Sequence, residues 1–103
     1  MSGLVSPGDH VKLLVTRPLT FAGKELSLNF ATSAAGSIQV EIQDLAGAPV
    51  PGYTLTDAVE LIGNEIDHAA RWKPGSDVGS LAGWPMRLRF VMKDADLFAI
   101  QFR

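Results

Sequence analysis

Cysteine is absent from this 103-residue chain, which excludes disulfides, thiolate nucleophiles and cysteine-held zinc. Histidine occurs only at His10 and His68, and no Gly-x-Ser-x-Gly elbow, His-Glu-x-x-His pair or phosphate loop is present. Positive charge is not in excess either. Nine Lys and Arg stand against eleven Asp and Glu, so the chain has no basic footprint for nucleic acid or an anionic lipid surface. No apolar run approaches the roughly 18 residues of a membrane span. Met1-Ser2-Gly3 opens no charged and then apolar leader, so the chain is expected to carry no signal peptide of its own.

What is present is a globular composition, 47% hydrophobic and 19% charged, too apolar for a disordered tail. The length suits one domain, expected over residues 10–103 behind a linker or expression remnant at 1–9. Because it ends directly after a strand, at Phe102-Arg103, this domain is expected to close a parent chain or to have been cut from one.

Two is the dominant period. Ile38, Val40 and Ile42 alternate with Gln39, Glu41 and Gln43, as in a strand with one buried and one wet face. Leu26, Leu28 and Phe30 alternate with Ser27 and Asn29. Met86, Leu88, Phe90 and Met92 alternate with Arg87, Arg89, Val91 and Lys93. Phe98, Ile100 and Phe102 share a face at the C-terminus, and Val11 to Thr16 is a shorter run stopped by Arg17-Pro18. Turn signals separate the runs, including Ala34-Ala35-Gly36, Lys73-Pro74-Gly75, Gly83-Trp84-Pro85 and Lys93-Asp94-Ala95-Asp96. Short strands at this spacing predict an all-β, antiparallel β-sandwich. Its core is expected from Leu28, Phe30, Ile38, Val40, Ile42, Leu88, Phe90, Ile100 and Phe102. Residues 53–72 are mixed; their spacing predicts one short helical turn at Thr56 to Glu60, then a strand from about Glu65 to Trp72.

Several stretches carry a resemblance. They are Arg17-Pro18-Leu19-Thr20-Phe21-Ala22-Gly23, Leu26-Ser27-Leu28-Asn29, Ser37 to Asp44, Pro51-Gly52-Tyr53, Gly75-Ser76-Asp77, Leu81-Ala82-Gly83, Pro85 to Phe90 and Lys93 to Phe98. From Gly8 to Phe102 the chain resembles the C-terminal β-sandwich module of secreted bacterial proteins related to glycoside hydrolases with a five-bladed propeller. The resemblance implies a jelly-roll-like accessory module, secreted or periplasmic within a larger parent, whose partner is a polysaccharide or the neighbouring catalytic domain. It brings no catalytic motif.

Catalysis on a glycoside needs two carboxylates at a workable separation. Glu60 with Glu65, or Glu41 with Asp67, are the pairs to consider, and nothing in their spacing singles them out. His68 shares an alternating face with Ile66 and Trp72 and is expected as a packed imidazole, with His10 solvated in the linker. The chain is therefore expected not to be an enzyme. Calcium needs six to eight oxygens. The candidates are Asp94 and Asp96, in an expected hairpin turn, and Asp77 in another loop, too few to predict a metal site, so no cofactor is expected.

Sugar recognition without metal uses aromatic platforms flanked by polar groups. Trp72 is in register with Ala70 and is assigned to packing. Trp84 lies in a Gly-Trp-Pro turn where no alternation calls for an apolar residue, and where the resembling sequences more often carry a small or charged one. Tyr53 is the second ring. Asn29, Gln39, Glu41, Arg87 and Arg89 are the polar candidates on the wet strand faces. The expectation is a non-catalytic carbohydrate-binding module, with a purely structural sandwich packed on a neighbouring domain as the alternative.

Overall fold

The structure, a computed structural model, describes residues 11–103. The linker expected at 1–9, and His10, lie outside the described residues. Four strands, β1 (Val11–Val15), β2 (Leu26–Gln43), β3 (Asn64–Ala69) and β4 (Arg87–Phe102), form one antiparallel sheet in the order β1-β4-β2-β3. The chain is all-β, as its alternation predicts. The described strands make a single hydrogen-bonded sheet, and this pairing does not by itself make a two-sheet jelly roll.

The largest departure from expectation is continuity. The runs around Leu28 and Val40, read as separate strands, are the two halves of β2; those around Leu88 and Ile100 are the two halves of β4. The intervening turn signals do not reverse the chain because they face each other across the ribbon. Thr32 pairs with Ala95 and Ser37 with Lys93, leaving Ser33 to Gly36 opposite Asp94 alone. Asp94 takes the left-handed conformation, φ 46°, which its short polar side chain tolerates. At Gly36 an added Cβ would lie 2.5 Å from the carbonyl oxygens of Asp94 and Lys93, so only glycine permits this approach. Surplus residues on one strand bend the pair. Phe90 and Leu97 to Ile100, from both halves of β4, line one cleft with Leu14 and Thr16. The ribbon is thus curled around a shared interior.

That interior holds Leu26, Leu28 and Phe30 from the first half of β2 and Ile38, Val40 and Ile42 from the second. Leu88, Phe90 and Met92 add the β4 side, and Phe21, Leu61, Ala70, Trp72 and Val78 come from the connections. Seven of the nine expected core residues are buried. Ile100 and Phe102 are half-buried, and the Phe102 ring stacks on Phe21 at 4.1 Å.

Two side chains depart from the expected faces, both at bulges. Asn29 pairs with Ala99 and Phe30 with Leu97, which leaves Phe98 as a surplus residue, 64% exposed and off the face of Ile100 and Phe102. On the other flank Leu28 pairs with His68 and Phe30 with Glu65, so Ile66 and Asp67 together oppose Asn29. Ile66 is 83% exposed and does not share a buried face with Trp72. His68 is half-buried, its ring edge-on to Phe30.

The 53–72 segment holds one tight turn, earlier than expected. Asp57 N–H and Ala58 N–H donate to the carbonyls of Thr54 and Leu55, and the Thr54 hydroxyl also accepts from Asp57 N–H. β3 ends at Ala69, and Trp72 makes isolated bridges to Ala58 and Gly75. A short 3-10 turn at Gly79–Leu81 was not foreseen; the Asp77 carboxylate accepts from Gly79 N–H at 2.7 Å and starts it.

Candidate functional site

Two aromatic rings on the connections between strands, Trp84 and Tyr53, are the candidate binding platforms. The 3-10 turn delivers the chain to Gly83, whose φ of 86° sets the sharp turn before Trp84. This turn is held from both sides. Gly83 N–H donates to Phe21 C=O at 3.0 Å and Trp84 N–H to Leu81 C=O at 3.2 Å. Leu19 and Met86 exchange two backbone bonds of 2.8 Å. With its backbone so fixed, the Trp84 side chain is 65% exposed. The turn therefore presents an indole to solvent, and the ring does not serve as a lid on the core.

Tyr53 belongs to a separate depression of about 420 Å³, walled by Pro51, Gly52, Pro74, Gly75, Asp77 and Ser80. Its hydroxyl donates to the Asp77 carbonyl at 2.8 Å, and its ring meets Trp72 edge-on at 5.2 Å. Trp72 in turn donates its indole N–H to Val40 C=O at 2.8 Å, which satisfies the polar end of a buried side chain. The Tyr53 ring is thus positioned by a relay from the core. Asp77 and Ser80 line this depression and Trp84 follows four residues after Ser80, so the 77–84 segment connects the two ring sites. Pro51, Pro74 and Ser80 were not singled out from sequence. The signal for the two prolines is the pair of Pro-Gly steps, legible as turns but not as two walls of one depression; Ser80 carries no such signal.

Four of the polar candidates, Gln39, Glu41, Arg87 and Arg89, make contacts within the chain. Glu41 is buried, not wet: its carboxylate accepts from Gln43 at 2.8 Å and from Leu55 N–H at 3.1 Å, with the Arg89 guanidinium at 3.6 Å. Gln39 donates to Ala58 C=O at 3.3 Å. Together with the Gln43–Pro49 bridge, these contacts hold the 44–58 connection over what alternation presents as an outward face. Satisfied by three partners, the Glu41 charge is tolerable under that cover. Arg87 reaches Thr16 C=O at 3.4 Å. Asn29 is half-buried beside the bulges. Tyr53 lines its depression without Trp84, Gln39, Glu41, Arg87 or Arg89.

The carboxylates are likewise dispersed. Asp67 accepts from the Ser27 hydroxyl and pairs with Arg103 at 2.6 Å. The Ser27 hydrogen bond, and after it Arg103, hold its carboxyl below the ordinary aspartate value, against an opposing effect of desolvation. Glu41 lies at the other end of β2 from Ser27, the residue that anchors Asp67. Asp94 and Asp96 do not form a hairpin turn; they line a cleft of about 430 Å³ with Lys12, Thr32 and Ser33, while Asp77 lies at the Tyr53 depression. Among the described residues no three His, Asp or Glu side chains come together as a metal set. Comparisons with family models, curated proteins and solved structures find no match to this chain.

Proposed function

We propose that this chain is a non-catalytic carbohydrate-binding module, working as an accessory domain of a secreted or periplasmic glycoside-hydrolase-like parent. One observation carries the reading: a tryptophan held 65% exposed on a turn fixed by backbone bonds on both sides. An indole left in water forgoes about 25 cal/mol for each Å² of apolar surface. That deficit is recovered when a sugar ring stacks on it, and a fixed turn loses little entropy on docking. Tyr53 and the depression beside it supply a second ring and the polar edges of Asp77 and Ser80 along the same segment. Of the carboxylate pairs considered, Glu41 and Asp67 are engaged in structural contacts, while Glu60 and Glu65 are exposed. The chain alone is accordingly expected to release no reducing sugar.

Affinity electrophoresis through gels containing a panel of polysaccharides tests the proposal. Retardation by at least one glycan is expected, and Trp84→Ala should abolish it while leaving the melting midpoint in place. A chain that migrates freely through every gel is instead a structural module whose Trp84 is covered by a neighbouring domain.

A further inference from the structure

A second depression, of about 630 Å³, meets the Tyr53 depression at Asp77, which lines both. Lys24, Glu25, Ser76 and Arg103 stand on its other walls. The partition between the two is fixed. Tyr53 O–H donates to Asp77 C=O at 2.8 Å, and Val78 N–H donates to Lys24 C=O at 2.7 Å, with the Val78 side chain fully buried. On the far side the Ser76 hydroxyl donates to the Glu25 carboxylate at 3.3 Å. The N–H groups of Lys24 and Glu25 both donate to Arg103 C=O, at 2.5 and 3.1 Å. Walls held in this way lose little entropy when a ligand docks.

The chemistry differs on the two sides of Asp77. Pro51, Tyr53 and Pro74 give the first depression apolar surface, suited to the C–H face of a sugar ring. The second offers donors and acceptors side by side, in Lys24, Ser76 and Glu25. Between them the Asp77 carboxylate uses Oδ1 to accept from Gly79 N–H at 2.7 Å. The residue is exposed, and Oδ2 remains to accept from a ligand. A hydroxyl both donates and accepts, so adjacent hydroxyls on a sugar match such a mixed surface.

Charge narrows the class of sugar. Among the described residues no Lys or Arg lines the Tyr53 depression, whose one charged side chain is Asp77. In the second depression Glu25 and Asp77 face Lys24 and Arg103, and Arg103 is already paired with Asp67 at 2.6 Å. A ligand bringing like charge to this surface is penalised, which disfavours uronates and sulfated sugars. Resting on the carbohydrate reading, we infer that the two depressions are adjoining subsites for an uncharged oligosaccharide. One ring lies against Tyr53, and the next crosses Asp77 toward Lys24 and Glu25.

Calorimetric titration of the whole chain with cello-, xylo-, manno- and malto-oligosaccharides of one to four units, and with oligogalacturonates of the same lengths, tests this. At least one uncharged series should bind, with a dissociation constant that falls at least tenfold from the monosaccharide to the trisaccharide. Lys24→Ala, at an exposed side chain, should remove that gain with length and leave the monosaccharide affinity within twofold. Asp77→Asn, whose amide oxygen still accepts from Gly79 N–H, should weaken the trisaccharide at least fivefold. If Asp77→Asn folds poorly, Lys24→Ala decides alone. Affinity independent of length, or unchanged by the substitutions, refutes the two subsites, and so does a preference for oligogalacturonates. A chain that polysaccharide gels retard through Trp84, yet that binds none of these oligosaccharides, also refutes the subsites while the carbohydrate reading stands. Free migration through every gel removes that reading and the subsites with it.

Discussion

At Trp84 and Trp72 the same side chain serves opposite purposes, and stability separates them. Trp72 is enclosed, edge-on to Tyr53 and bonded to Val40, so Trp72→Ala is expected to cost about 3–5 kcal/mol in urea unfolding. Trp84 projects from its turn, and Trp84→Ala is expected to change stability by less than about 0.5 kcal/mol. A loss above about 2 kcal/mol at Trp84 would show that its ring packs on the core after all. These two assignments were legible from context, because alternation claims Trp72 and nothing claims Trp84. Glu41 was not. Its neighbours in sequence give the pattern of a wet strand face, and only the return of the 44–58 connection over β2 buries it.

Asp67 adds a pH dependence at the same scale. Its carboxyl titrates below the ordinary 3.8 because the Ser27 hydroxyl and Arg103 favour the charged form. A depressed folded-state value means that this contribution is complete above the unfolded value and is lost as pH falls through the folded one. Asp67→Asn should therefore flatten the decline in unfolding free energy below about pH 4 and leave its shape near neutrality unchanged. Urea titrations of both proteins from pH 7 to pH 2 supply the comparison. Equal acid slopes would mean that Asp67 has the same affinity for protons folded and unfolded.

At the scale of elements, the device that makes two strands out of four expected ones is the pairing of Ser33 to Gly36 with Asp94. Each half-strand was readable from its period of two, because buried and exposed faces alternate on either side of the bulge. The continuity was not, since Ala-Gly and Asp-containing stretches mark tight turns and bulges alike. Phe98 and Ile66 failed for the same reason: one inserted residue moves the following side chain to the other face. Gly36 is the position on which the device depends. Gly36→Ala drives a methyl against two backbone carbonyls, neither of which can rotate aside, and is expected to destabilise by about 1–3 kcal/mol. Asp94→Gly relieves a left-handed residue and is expected to be neutral or mildly stabilising. Chemical denaturation of the two variants measures both. A tolerated Gly36→Ala would show that the bulge relaxes into another register.

For the whole molecule, the consequence is that neither half of the sheet is an independent unit. β2 and β4 each run through both halves, and β4 pairs with β2 along nearly its whole length, joining positions distant in sequence. Leu28 and Phe30 in one half and Val40 and Phe90 in the other belong to a single buried cluster. Stripping one half of its packing therefore exposes the interior that supports the other. Leu28→Ala and Phe90→Ala are each expected to cost about 2–5 kcal/mol, from opposite halves of the ribbon. Each should lower one shared transition and leave no residual structure, because a domain of this size has only about 5–15 kcal/mol in hand. The Trp84→Ala background leaves Trp72 as the sole indole, a probe seated against Val40 in the second half of β2. Its fluorescence should follow the far-ultraviolet circular dichroism of the whole sheet at every urea concentration, in the parent and in both core variants. A Trp72 signal that survives the loss of sheet structure in Leu28→Ala would show that the half around Val40 stands alone, and that the bulge at Gly36 is a hinge between two units.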